Sequence, residues 1–162
     1  MGPRSVYIET SIPSFYFEER PQPAMRARRE WTREWWDTKR EQYAVFTSAA
    51  VLDELSRGDY VSKEDCLRLM TDVPVLPIDA ATGEVVRAYI RNRLMPDDPV
   101  GDALHLAVAS LHKVDFLLTW NCAHLANANK FGHVRRINTM LGLFVPALVT
   151  PLEMLGGSNA AD

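Results

Sequence analysis

The feature that most constrains this chain is a repeated change of hydrophobic period. Short β-branched and aromatic runs alternate with longer segments of helical pattern. The runs are "SVYIE" (5–9), "AVFTS" (44–48), "VPVLPI" (73–78), "DFLLTW" (115–120) and "ALVT" (147–150). Between them lie helical patterns: residues 24–42, then "AAVLDELSRG" closed by Gly58, then "SKEDCLRLMTDV" with Ser62 ahead of an acidic first turn. Further on come "AATGEVVRAYIRNRLM", "PVGDALHLAVASLHKV" and residues 123–143. Strands that alternate with helices form βαβ units with right-handed crossovers. The expected fold class is therefore α/β: a three-layer α/β/α sandwich around a mostly parallel central sheet of four or five strands. The prolines flanking "VPVLPI" place that strand near a sheet edge. The segment containing Pro13 reads as a loop, and Pro151 as the end of the last strand.

A chain of 162 residues corresponds to one domain, expected over 1–155, with "GGSNAAD" (156–162) as a flexible C-terminal tail. The composition, 47% hydrophobic and 24% charged, is that of a globular chain rather than a disordered one. No run approaches the roughly 18 apolar residues of a membrane span, and "MGPRSVYIET" lacks the apolar stretch of an export signal. A cytoplasmic location, away from membranes, is the expectation. Cys66 and Cys122 have no C-x-x-C spacing and read as free thiols. The net charge of −3 carries no global signature of nucleic-acid binding. The arginines of "MRARREWTREWWDTKRE" are interleaved with Glu30, Glu34, Asp37 and Glu41, the pattern of a solvated helix face with i,i+4 pairs; a basic patch is the alternative. Trp31, Trp35 and Trp36 at helical spacing read as core or partner contact. Neither a Gly-rich phosphate loop nor a G-x-S-x-G elbow occurs.

In open parallel sheets, ligands bind beyond the carboxyl ends of the strands. Those ends carry Glu9, Ser48 and Trp120–Asn121, and the adjoining helices bring Glu54 and Asp102. Glu9 can be read as a turn acid. However, alternation puts it on the face of Tyr7, and a parallel sheet covered on both faces leaves neither face wet, so it needs partners such as Thr10 and Ser11. Asp102 is an acid in a first helical turn, where the helix dipole favours it by about 0.3–1 kcal/mol. It points away from the apolar stripe Ala103, Leu104, Ala107, Val108 and Leu111, together with His105, Leu106 and Ala109. Glu54 lies at the margin of Val51, Leu52 and Leu55, where an exposed helical acid is the ordinary case. Asp97 and Asp98 read as loop and capping acids. His105 reads as a packed, hydrogen-bonded histidine rather than a general base. The four histidines show no zinc spacing beside cysteines.

Taken in order, "VYIETS", "SAAVLDEL", "DALHLAVAS" and "DFLLTWN" resemble the signature segments of the PIN-domain ribonucleases, in particular the VapC-like toxins of type II toxin–antitoxin pairs. The resemblance runs from residue 6 to about 127. It implies that Glu9, Glu54 and Asp102 are catalytic and hold Mg²⁺ or Mn²⁺, that Asn121 occupies a place where a fourth acid is common, and that RNA is cut. Candidate supporting residues beside these are Thr119, Thr10 and Ser11, the last two with hydroxyls that can orient Glu9, and Asp98 if its loop folds inward. Two departures stand out. Glu9 replaces the usual Asp, and Asn121 supplies a neutral oxygen or a hydrogen bond to a metal-bound water. Three acids and an amide carry less charge than four acids, so weak metal affinity is expected. The implied partners are RNA and an antitoxin covering the acid cleft, with a homodimer formed around an exposed Trp-rich helix. Two other readings remain: a PIN-like module that binds RNA or protein without cutting, and a phosphohydrolase or receiver-type domain. The last requires paired acids after the first strand, where "ETS" supplies one.

Overall fold

The structure, a computed structural model, describes residues 2–95 and 101–156. Five parallel strands form its centre: β1 (Ser5–Ile8), β2 (Ala44–Ser48), β3 (Val75–Leu76), β4 (Phe116–Leu118) and β5 (Ala147–Val149), in the order β3-β2-β1-β4-β5. In register, Tyr7 lies between Phe46 of β2 and Leu117 of β4, while Leu118 pairs with Ile8 and Val149. Val6, Tyr7, Ile8, Leu117 and Leu118 are wholly buried, as expected for central strands covered on both faces. β3, between its prolines, forms one edge, and Val75 is half exposed there.

The helices are α1 (Ser11–Tyr16), α2 (Pro23–Glu34), α3 (Ala49–Ser56), α4 (Lys63–Leu69), α5 (Ala80–Arg91), α6 (Asp102–Leu111), α7 (Ala128–Met140) and α8 (Pro151–Gly156). α5 packs along α6; α1 packs on α2 and α4, and α3 on α4. The result is the α/β/α sandwich expected, with a sheet that is parallel throughout. Its strand order decides where a site can form. From β1 the chain builds outward through β2 and β3, then crosses to β4 on the other side of β1. The crevice at this reversal opens at the carboxyl ends of β1 and β4, where Glu9 and Thr119 follow the two strands.

Several local expectations are corrected. The segment around Pro13 is a short helix, because Pro13 falls in its first turn, where the missing N–H has no intrahelical partner to lose. Pro151 starts α8 instead of only ending β5, again at a first helical position. Gly156, expected as the first residue of the tail, belongs to α8, and 157–162 lie outside the described residues. The Trp-rich helix is not an exposed surface. α2 continues into a π-turn (Trp35–Lys39) and a 3-10 turn (Arg40–Gln42), which carry Trp35 and Trp36 into the core. The arginines of this segment do not form the expected i,i+4 ladder. Arg28 lies over Phe15 and Trp120, Arg33 over Tyr16 and Arg40 over Trp36. α6 is buried on nearly every side, including the face of His105, Leu106 and Ala109 that the wheel set opposite its apolar stripe.

Candidate metal centre

Glu9 follows β1 directly, and its backbone N–H still donates to the Leu118 carbonyl of β4. Its side chain turns inward and is 6% exposed. One carboxylate oxygen, Oε1, accepts from the Ser11 hydroxyl (2.5 Å), the Ser11 amide (3.2 Å) and the Thr119 hydroxyl (2.5 Å). Those donors are themselves held. The Trp120 amide donates to Ser11 Oγ at 2.8 Å, and the Asn121 amide donates to Thr119 Oγ1 at 2.9 Å. The turns after β1 and β4 are therefore sewn together through Glu9. Oε2 takes no hydrogen bond among the described residues.

Glu54 enters from the second turn of α3. Its Oε1 lies 2.7 Å from His105 Nε2, with the histidine side chain 1% exposed and the glutamate 24% exposed. His105 Nδ1 is 2.8 Å from the Tyr7 hydroxyl, which is also 2.8 Å from Ser48 Oγ. The sequence missed this arrangement. Tyr7 and Glu9 share a face of β1, so the tyrosine hydroxyl and the first acid reach toward the same helix. Ser48, although it stands at the N-cap of α3, makes no cap bond with its side chain. A tyrosine two residues before Glu9 and a histidine three after Asp102 were the available signals.

Burial pushes the Glu54 carboxyl up, but the hydrogen bond and charge of His105, helped by Thr10 and Arg57, outweigh it and leave the group below its ordinary range. Burial pushes His105 down, and its bond to Glu54 with the charges of Glu9, Glu54 and Asp102 raises it above ordinary histidine. Burial also drives Asp102 up; His105, His124 and the Asn121 hydrogen bond oppose this only in part, and Glu54 adds to it.

Ligand-type atoms of Glu9, Glu54 and His105 all lie within 4.8 Å of one another, the group of this kind found among the described residues. Asp102, at the first position of α6, is outside that group but feels the charges of Glu54 and His105. Asn121 Nδ2 donates to Asp102 Oδ2 at 2.8 Å. Its Oδ1 accepts from the amides of Ala123 (3.2 Å) and His124 (3.1 Å), an Asx turn that fixes which way the amide faces. The oxygen expected to face a metal is thus committed to backbone, and Asn121 orients Asp102. Asp98 lies outside the described residues.

The donor set suits a hard divalent cation, because carboxylate oxygens are what Mg²⁺ and Mn²⁺ take. One buried polar atom without a hydrogen-bond partner lies beside it, His124 Nδ1, whose residue favours ionised Asp102, while the Thr10 hydroxyl favours ionised Glu54 through a hydrogen bond. Buried polar atoms are normally satisfied. Acids that converge without a cation between them repel one another, so the residues fit such an ion.

Comparison with known proteins bears on this geometry directly. The sequence model of the PIN domain matches residues 6–121, from β1 to the asparagine after β4. No curated protein and no solved structure is significantly similar to the chain.

Proposed function

The chain belongs to the PIN-domain family, whose members are generally nucleases, and on that premise we propose that it is a Mg²⁺- or Mn²⁺-dependent endoribonuclease, the VapC-like toxin of a toxin–antitoxin pair. The observation that carries this reading is the meeting of Glu9 and Glu54 with Asp102 beside them at the strand-order reversal. Glu9, Glu54 and Asp102 would hold the ion. A bound divalent ion supplies charge neutralisation for the phosphodiester and lowers the pKa of attacking water.

The chain's own groups do the rest. Ser11 and Thr119 hold Glu9 through Oε1 and leave Oε2 without a hydrogen bond among the described residues. Asn121 holds Asp102 through Oδ2 and so fixes that carboxylate beside the other two acids. Arg28, over Trp120 and without a carboxylate partner among the described ion pairs, offers a cation to the RNA backbone one residue from Asn121. An antitoxin chain covering the acids would silence the enzyme, and a homodimer acting in the cytoplasm completes the reading. Among the described residues no helix is long and apolar enough to cross a membrane.

A second reading, a PIN-like module that binds RNA or protein without cutting, is favoured by one observation: the Asn121 amide is occupied on both ends and adds no ligand. Purified chain with Mn²⁺ and a panel of structured and unstructured RNAs separates the two. Cleavage that chelator stops and Asp102→Asn abolishes, with thermal stability nearly unchanged, supports the nuclease; equal cleavage by the variant refutes the site. Rescue of growth by a small protein encoded immediately upstream would support the toxin assignment.

A further inference from the structure

We propose that His105 is a positioning residue for Glu54. Its Nε2–H holds one oxygen of that carboxylate so that the other is presented to a metal, and Tyr7 and Ser48 lock the ring in place. This deepens the proposed function and rests on it. The alternative is that His105 is itself a metal ligand, which the spacing of its ring to Glu9 and Glu54 would allow.

Three observations favour positioning. First, both ring nitrogens are already engaged, Nε2 with Glu54 at 2.7 Å and Nδ1 with the Tyr7 hydroxyl at 2.8 Å. Ligation by either would break one of these bonds, and at Nδ1 water does not reach to replace it, since His105, Tyr7 and Ser48 are 1%, 0% and 0% exposed. Second, the donor set is otherwise oxygen, and a hard cation with oxygen ligands gains little from imidazole. Third, the bonds form a closed tie. Ser48 ends β2, Tyr7 is in β1, His105 in α6 and Glu54 in α3, the helix that begins immediately after Ser48. The chain of contacts leaves this segment at Ser48, crosses Tyr7 and His105, and returns to the same segment at Glu54 in the second turn of α3. Glu54 has three rotatable bonds, and this tie removes their freedom before any ion arrives. Carboxylates that bind metals are characteristically held in this way by neighbouring donors, and loss of such a donor typically weakens metal affinity about 10- to 100-fold.

The test uses the full chain free of metal and RNA. Mn²⁺ affinity is measured by calorimetry for wild type, His105→Asn and His105→Gln. The Gln amide nitrogen reaches the place of Nε2 and can still donate to Glu54; the Asn amide reaches only the place of Nδ1 and cannot. The expected result is an affinity loss of about 10- to 100-fold for His105→Asn and near-wild-type affinity for His105→Gln. In wild type, ¹⁵N NMR of the ring should show Nε2 keeping its proton when Mg²⁺ is saturating, a measurement that stands even if a variant fails to fold. Equal affinity of His105→Asn and wild type overturns the proposal while leaving the nuclease reading intact. So does loss of the Nε2 proton on Mg²⁺ addition together with equal impairment of both variants, which makes His105 a ligand. A wild-type chain that neither binds Mn²⁺ nor cuts RNA overturns both.

Discussion

Restoring a carboxylate at position 121 tests how the acids are kept together. In Asn121→Asp, one side-chain oxygen can still accept from the Ala123 and His124 amides, so the turn survives. The other oxygen replaces the N–H that now lies 2.8 Å from Asp102 Oδ2. A charge-assisted hydrogen bond becomes a like-charge contact. At about 4 Å separation and an effective dielectric near 20, two unit charges repel by about 4 kcal/mol. Rearrangement, solvent screening and proton uptake reduce this, so about 2–4 kcal/mol is expected. For a chain of this size about 1 kcal/mol moves the melting temperature by about 2–4 °C, giving a fall of about 5–15 °C in metal-free buffer at pH 7–8.

The sign with pH follows from the same pair. Repulsion raises the folded-state pKa of one member above its unfolded value. The deficit is absent where both groups are protonated, grows as pH rises past about 4, and is full above the raised value. A divalent cation reverses the sign of the local field, so Mn²⁺ should stabilise the variant more than wild type. Differential scanning calorimetry at pH 4 and pH 8, with and without Mn²⁺, reads all of this. A variant that melts with wild type at pH 8 without metal, or gains no more from Mn²⁺, refutes the contact between Asn121 and Asp102 as the element that governs charge in this cleft.

Three further outcomes are expected. Thr119→Val keeps the shape but removes the hydroxyl that donates to Glu9 and accepts from the Asn121 amide; thermal unfolding should show a loss of about 1.5–3 kcal/mol, as for other hydrogen bonds to charged groups. Arg28→Gln should raise KM for RNA with kcat little changed and flatten its dependence on salt, because one phosphate contact goes; unchanged KM would remove Arg28 from the RNA path. Tyr89, whose hydroxyl burial pushes up to about 12, donates to Asn138 at 2.6 Å and to Ser110 at 3.2 Å. Tyr89→Phe should therefore cost about 1–3 kcal/mol in stability by leaving Asn138 short of a partner, with cleavage per folded molecule unchanged.

The parallel sheet and the positions of its acids were legible in the sequence because both depend on local pattern. Central strands covered on both faces must be apolar, and a polar residue such as Glu9 after β1 or Thr119 after β4 marks where each ends. What was not legible depended on which faces are covered. A helical wheel for α6 divides the residues into a core stripe and an opposite face, and although His105 is the packed, hydrogen-bonded histidine expected, the wheel does not tell how fully its face is covered or which partners it takes. That division assumes one wet side. α6 has none to speak of, because α5 packs along it and the site closes over the remainder, so the histidine is as buried as the leucine beside it. Likewise the register that sets Tyr7 against the carboxyl edge is a property of strand order, which periodicity does not contain. Pro13 and Pro151 misled for a simpler reason: a proline is compatible with a first helical turn as well as with a loop.

α6 carries a contrast that separates structure from function within one helix. Toward α5 and α7 its Ser110 joins Tyr89 and Asn138, and the Asn138 amide also donates to the Phe144 carbonyl at 2.9 Å. Each side chain in that network has its partners, as a network serving only stability should. Toward the carboxyl edge the same helix presents Asp102 and His105 to Glu54 and Glu9, with His124 Nδ1 buried nearby and unpaired. Stability alone would favour apolar groups there, since unpaired polar atoms and converging acids both oppose folding. Folded sequences keep such conflicts where a ligand resolves them. The remaining unpaired buried atoms, Trp35 Nε1 and Arg40 Nε, belong to the π and 3-10 turns after α2, where an irregular helix displaces side chains from their usual partners. Among the described residues, a buried unpaired nitrogen and converging carboxylates coincide at the strand-order reversal, where a divalent cation would offset the repulsion between the acids.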